Sequence, residues 1–161
     1  MKRHAESDVG IETLVAYLRD SGRHSCEVQP DGIALRAGNG FDIHIALITA
    51  GKFIRFSALL PLNPEISATR KRELMKRLNE NAFPRVFASD RGQDLSVAYV
   101  MPYGHGLIAE NFVATVSRFA SLLEFVVQDD SGDGRIDLGS PAPVPAAVCE
   151  ASEMAVADLA Y

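Results

Sequence analysis

Apolar residues recur at helical spacing over residues 9–22, where Ile11, Leu14, Val15 and Leu18 fall on one face. Ser7 or Asp8 is placed to cap the start of that helix, and Gly22 ends it. The period then changes to two. Residues 25–29 read as a strand, and the turn Pro30-Asp31-Gly32 leads into a second strand, Ile33–Arg36. After the turn Gly38-Asn39-Gly40, Phe41, Ile43, Ile45 and Leu47 alternate with Asp42, His44 and Ala46, which predicts a strand with one apolar face. Gly51-Lys52 turns the chain into Phe53–Leu60, a long strand with both faces partly apolar. Three successive hairpin-length connections predict an antiparallel meander.

Pro61 and Pro64 close this run. Residues 66–82 predict a second helix with Leu74, Met75, Leu78 and Ala82 inward, and Pro84 closes it. Arg85–Ser89 predicts a strand and Asp90-Arg91-Gly92 a turn. Leu95, Val97, Tyr99 and Met101 then form the inward side of another strand. Residues 107–127 carry the longest helical stripe: Phe112, Val116, Phe119, Leu123 and Val126/Val127. The predicted order is α-β-β-β-β-α-β-β-α. Strands grouped in blocks, rather than alternating singly with helices, point to an α+β fold with an antiparallel sheet and helices packed on one face.

The texture changes after Gln128. Asp-Asp-Ser-Gly-Asp-Gly is polar, and Pro141-Ala142-Pro143-Val144-Pro145 reads as a stiff, extended linker. Val148, Ala151, Ala155 and Leu159 could align on a short C-terminal helix over 146–160. The expected organisation is a domain over 1–128 and an acidic, proline-containing tail over 129–161, with no internal repeat. Charge follows the same boundary. The chain carries a formal net charge of −5, yet residues 1–128 hold 15 Lys/Arg against 14 Asp/Glu. Beyond them only Arg135 stands against Asp129, Asp130, Asp133, Asp137, Glu150, Glu153 and Asp158. A nearly neutral body argues against a nucleic-acid surface over the whole molecule.

With 161 residues, 47% of them hydrophobic, the chain can bury a core without disulfides or metal. Cys26 and Cys149 lie far apart and share no short motif. They read as reduced cytosolic thiols, with a single disulfide as the alternative. The first residues, MKRHAESDVG, lack the apolar run of a signal peptide, and no stretch has the length of a membrane span. A cytoplasmic protein is expected.

Four patterns invite a chemical reading. Gly104-His105-Gly106-Leu107-Ile108-Ala109 has the spacing G-x-G-x-x-A, in which backbone N–H groups and a helix start could face a pyrophosphate. It lacks the βαβ context and the acid-bearing second strand, so a glycine-rich turn is the simpler reading. Asp129, Ser131, Asp133, Asp137 and Gly134 imitate a calcium loop, but Ser140 stands where a bidentate Glu is needed and Pro141 follows. His24-Ser25-Cys26 offers two soft ligands without a second pair nearby, and His44 lies on the polar side of its strand. Arg70, Lys71, Arg72, Lys76 and Arg77 form a basic face that could meet phosphates or the acidic tail. The plainer account is a solvated helix face with Glu73 and Glu80 as charge partners. No G-x-S-x-G, H-E-x-x-H or P-loop is present.

The run Leu74-Met75-Lys76-Arg77-Leu78-Asn79-Glu80-Asn81, then Phe83-Pro84-Arg85-Val86-Phe87, the turn Asp90-Arg91-Gly92, and the helix bearing Phe112 and Phe119 together resemble the YbjN family. Its members are described as bacterial sensory transduction regulators. The resemblance covers about residues 9–127 and is most specific over 74–101; the second Asn of a Leu-Asn-x-x-Asn pattern stands one position early, at Asn81. It implies a fold similar to the type III secretion chaperones, small α/β proteins, commonly homodimeric, that hold partner segments in extended form. It carries no catalytic residues and no cofactor. The expected function is therefore a non-catalytic regulator or chaperone-like adaptor that binds a protein partner. Phe53, Phe56, Leu59, Leu60, Tyr99, Met101 and Tyr103 are candidates for the docking surface. The alternatives are a small-ligand or nucleotide sensor at Gly104–Gly106 and a nucleic-acid contact through residues 70–77.

Overall fold

A computed structural model of the chain describes residues 3–22, 24–36, 41–80, 85–88, 94–130 and 134–137. Two short strands, β1 (Arg3–His4) and β8 (Leu107–Ile108), pair with each other. The main sheet contains β2 (Cys26–Gln29), β3 (Gly32–Arg36), β4 (Asp42–Ile48), β5 (Phe53–Pro61), β6 (Arg85–Ala88) and β7 (Asp94–Pro102). Its order is β2-β3-β4-β5-β7-β6, and every neighbouring pair is antiparallel. The helices are α1 (Ile11–Ser21), α2 (Ala68–Asn79) and α3 (Ala109–Asp130). The block order expected from the sequence is present, and the fold is α+β.

The ends of the elements depart from the expectation for local reasons. Gly10, not Ser7 or Asp8, precedes α1, because Glu6–Asp8 form a 3-10 turn. Thr13 Oγ1 instead donates to the Asp8 carbonyl at 2.8 Å. Gly22 ends α1 as expected, at φ 61°, donating its N–H to the Arg19 carbonyl. The second helix begins after Ser67, whose Oγ accepts the Arg70 N–H at 3.3 Å. The long helix starts at Ala109 rather than residue 107, because Leu107 and Ile108 are committed to β8.

Alternation sorts β4, β5 and β7 into two faces. Ile43 and Ile45, then Ile54, Phe56, Ala58 and Leu60, then Leu95 and Val97 are buried beneath the helices. Leu14, Val15, Tyr17 and Leu18 of α1, Leu74 and Leu78 of α2, and Phe112, Val116, Phe119, Leu123 and Val126 of α3 join them in one core. Phe56 is its hub. Its ring centroid lies 5.9 Å from Phe112, 6.3 Å from Phe119 and 6.1 Å from Tyr99, distances at which aromatic pairs attract.

Two groups tie stability to alkaline pH. Tyr17 is held above its ordinary pKa by burial first, then by the charges of Glu110 and Asp8. Lys52 is raised by its hydrogen bond to Glu6 and by that carboxylate's charge; the two groups meet at 2.9 Å. Each group keeps its proton in the folded chain at a pH where the unfolded chain has released it. Their stabilisation is therefore complete below about pH 10 and is lost as pH rises through the folded values. The urea midpoint should fall between about pH 9 and about pH 11, and Tyr17→Phe should make that fall shallower. A midpoint flat across this range would contradict both assignments.

Candidate protein-docking face

Among the described residues, no helix lies over the second face of the sheet. Register places Ile48, Phe53 and Pro102 in one row across β4, β5 and β7, and Ala46, Arg55 and Val100 in the next. His44, Ser57 and Ala98 follow, then Leu59 beside Ser96. Ile48 is 38% exposed, Phe53 40%, Val100 47% and Leu59 57%, although these are side chains a soluble sheet would normally cover. Ala46 and Ala98 make a low floor between them. Arg55 stands exposed near the middle, with no hydrogen bond or ion pair to another described residue. The face offers apolar contact and two exposed cations, Arg55 and, on β3 beside Asp42, Arg36.

The sequence candidates divide by parity. Phe53 and Leu59 lie on this open face. Phe56 and Leu60 are fully buried on the opposite face, and Tyr103 is buried as well. Tyr99 and Met101 are half-buried against the core. These five side chains pack the interior and present no common surface with Phe53. Sequence reasoning missed Ile48 and Val100. Val100 carried a readable signal, since it is a large apolar residue on the outward side of a strand whose inward side is Leu95, Val97, Tyr99 and Met101.

The other chemical candidates are placed as follows. Gly106 has φ +95°, and a Cβ there would lie 2.6 Å from the His4 carbonyl oxygen. The glycine serves the close approach of β1 to β8, and Arg3 Nη2 donates to the His105 carbonyl at 3.1 Å. The turn thus feeds an antiparallel strand pair, and among the described residues every strand pairing is antiparallel, unlike the parallel crossover that holds a dinucleotide. Along α2, Arg70, Arg72 and Lys76 are exposed and Lys71 is half-buried, while Arg77 pairs with Asp129 at the end of α3.

His44 Nε2 meets Asp31 at 3.3 Å, His24 Nε2 lies 3.4 Å from Ser117 Oγ, and Cys26 packs half-buried against the core. Cys149 and the imitation-calcium positions Ser131, Asp133 and Ser140 lie outside the described residues. Among the described residues, no three His, Cys, Asp or Glu side chains converge as metal ligands would. A polar cleft between β5 and α2, lined by Asn63, Glu65, Ser67, Arg70 and Arg135, has the Arg135 guanidinium already committed to Asp130 at 3.1 Å.

No protein-family model and no curated protein matches the sequence. Among solved structures, the chain is similar to the crystal structure of YbjN from E. coli, a protein proposed to regulate transcription. The two are 21% identical, with 80% of this chain and 96% of that chain covered at a TM-score of 0.67. The fold is YbjN-like. The resemblance, read over about residues 9–127 and most specific over 74–101, is borne out at the level of fold. The same architecture matches a chain of the HopA1–SchA chaperone–effector complex at 16% identity and a TM-score of 0.54, covering 73% of this chain and 90% of that one. A YbjN-like fold is thus also chaperone-like in its arrangement of sheet and helices. Among the described residues, no helix is long and apolar enough to cross a membrane.

Proposed function

We propose that the chain is a cytoplasmic, non-catalytic adaptor or chaperone-like regulator that holds an extended apolar segment of a protein partner against the open face of its sheet. One observation carries this reading: Ile48, Phe53, Val100 and Leu59 are exposed together on the side of the sheet away from the helices. Burying such side chains yields about 25 cal/mol per Å² of apolar area, and this gain is available only to an external segment that covers them. The chaperone–effector complex among the fold's neighbours supports a protein rather than a small molecule as the ligand.

The basic face of α2 supports the nucleic-acid alternative less well. One of its cations, Arg77, is spent within the molecule, and the cleft that Arg70 borders also holds Glu65 and an Arg135 already paired with Asp130.

The test is binding to an array of short apolar peptides, followed by affinity measurement on the best binder. Phe53→Ser and Leu59→Ser should each weaken binding about tenfold or more, the usual cost of losing an interface anchor. Arg70→Ala/Arg72→Ala should leave it nearly unchanged. Retention of binding in the open-face variants, or its loss in the basic-face variant, would overturn the assignment. We further propose a homodimer, read by sedimentation equilibrium; a monomer would remove the dimer without touching the docking face.

A further inference from the structure

Strand β5 presents its open-face side chains in a fixed order. Phe53, Arg55, Ser57 and Leu59 stand on that face, and the residues between them point into the core. Alternate residues of a strand lie about 7 Å apart, so the ladder reads aromatic, cation, hydroxyl, aliphatic over about 20 Å. Val100 flanks Arg55 and Ser96 flanks Leu59 on β7, while Ala46 and His44 flank Arg55 and Ser57 on β4. The end of β5 beyond Leu59 is taken by the chain that follows α3. Ile136 bridges Leu62, the Asn63 N–H donates to the Arg135 carbonyl at 2.8 Å, and the Asp137 N–H donates to the Pro61 carbonyl at 2.9 Å.

A segment that covers both Phe53 and Leu59 passes over Arg55. That guanidinium is exposed, and no described residue pairs with it. Covering an unpaired charge costs free energy that offsets the apolar contact on either side, unless the segment brings the counter-charge. The face's own carboxylates stand elsewhere. Asp42 is opposite Arg36 and lies four residues along β4 from Ala46, about 13 Å away. Asp94 is opposite Pro61, six residues along β5 from Arg55, about 20 Å away. Glu27 is in register with Ala34 and His44, three strands from Ser57, about 14 Å away. Asp31 is engaged by His44 Nε2 at 3.3 Å, and Glu6 by Lys52 at 2.9 Å. Register sets a further arginine, Arg85 of β6, beside Ala98.

We propose that this face selects, among apolar segments, one that carries a carboxylate between two apolar anchors. The inference rests on the docking function proposed above and names the chemistry of the partner. The Asp or Glu pairs with Arg55 while the anchors cover Phe53 and Leu59. An extended partner rises about 3.3 Å per residue, as β5 does, which fixes the spacing as apolar-x-acid-x-x-x-apolar, or the reverse order for a segment running the other way. A planar guanidinium can take a carboxylate through two parallel N–H···O bonds. Such a bond sets register as well as attraction. Phe53 and Leu59 supply affinity, and Arg55 decides which segment docks and where it begins.

The test uses labelled heptapeptides with Leu at both ends and Thr between, titrated against the full chain by fluorescence anisotropy. One set carries Glu, Gln or Lys at its third position, and a second set carries them at its fifth. In the better-binding set, the Glu peptide should bind at least about tenfold tighter than the Gln peptide, and the Lys peptide more weakly than either. Arg55→Gln should abolish the preference for Glu over Gln, and Arg55→Glu should invert it in favour of Lys. Arg36→Gln should leave the preference as it is. Arg55 is exposed, so its replacement alters recognition rather than folding.

A preference for Glu below about twofold, where a close charge pair should give far more, would overturn the inference. So would a preference that survives Arg55→Gln or disappears in Arg36→Gln. Binding that depends on Phe53 but ignores the acid sinks the inference and leaves the docking function standing. Failure of every peptide to bind sinks both.

Discussion

Phe56→Ala should cost the domain roughly 3–5 kcal/mol, the usual range for emptying a buried aromatic site. The residue is fully buried, and its ring contacts Tyr99, Phe112 and Phe119 from the middle strand of the sheet. Removal opens a void between β5 and α3 that those rings cannot close without leaving their own positions. Against a total stability of about 5–15 kcal/mol, such a loss moves the urea midpoint far or prevents folding at growth temperature. Phe53→Ala makes the informative contrast. The same change of residue type, three positions away and on the opposite face, should cost about 1 kcal/mol or less. Paired urea titrations of the two variants would settle which phenylalanine the core uses. Similar losses in both would mean that the open face is covered in solution by something as extensive as the helix layer.

Asp130→Ala should be comparably severe for a different reason. The carboxylate is buried, accepts two backbone N–H groups and pairs with Arg135. Deleting it removes a buried partner of the largely buried Arg135 guanidinium and leaves two backbone amides unmatched, and breaking a buried pair from one side costs roughly 3–5 kcal/mol. Part of that cost is local. Residues 134–137 lose the loop that holds them to Pro61 and Asn63, so the amides of Arg135, Ile136 and Asp137 should exchange hydrogen much faster. Asp129→Ala removes only an exposed pair with Arg77 and should change stability by about 1 kcal/mol or less. If Asp130→Ala matched Asp129→Ala in urea, the buried clip would hold nothing of consequence.

The contrast between Asp129 and Asp130 shows where sequence reading reached its limit. In the string Asp-Asp-Ser-Gly-Asp-Gly both acids read as solvated linker, because composition does not say which of two adjacent carboxylates faces inward. That depends on Arg135 and two backbone amides folding back from five and six residues away. Burial of the carboxylate was therefore invisible until the loop was closed.

The sheet, by contrast, was legible. Alternation over Phe41–Leu47 and Leu95–Met101 is long enough to assign both faces, and the stripes of α1 and α3 are unbroken. The strands β1 and β8 escaped because two residues carry no period. The docking face was half legible. Phe53 and Leu59 sit at odd positions of β5, whereas Phe56 and Leu60 sit at even ones, so a single surface could never have included all four. Joining Ile48, Phe53 and Val100 needed the register between strands, which one sequence does not supply.

The pairing of Arg3–His4 with Leu107–Ile108 has a kinetic meaning. During synthesis, β1 leaves the ribosome before the other described strands, but its partner emerges only after all six strands of the main sheet. Arg3 and His4 must wait, without that partner, while the main sheet's strands are made, and loop-closure entropy opposes so distant a contact until the intervening chain is compact. This seam therefore closes late, after the main sheet, and, held by two residues on each side, frays early.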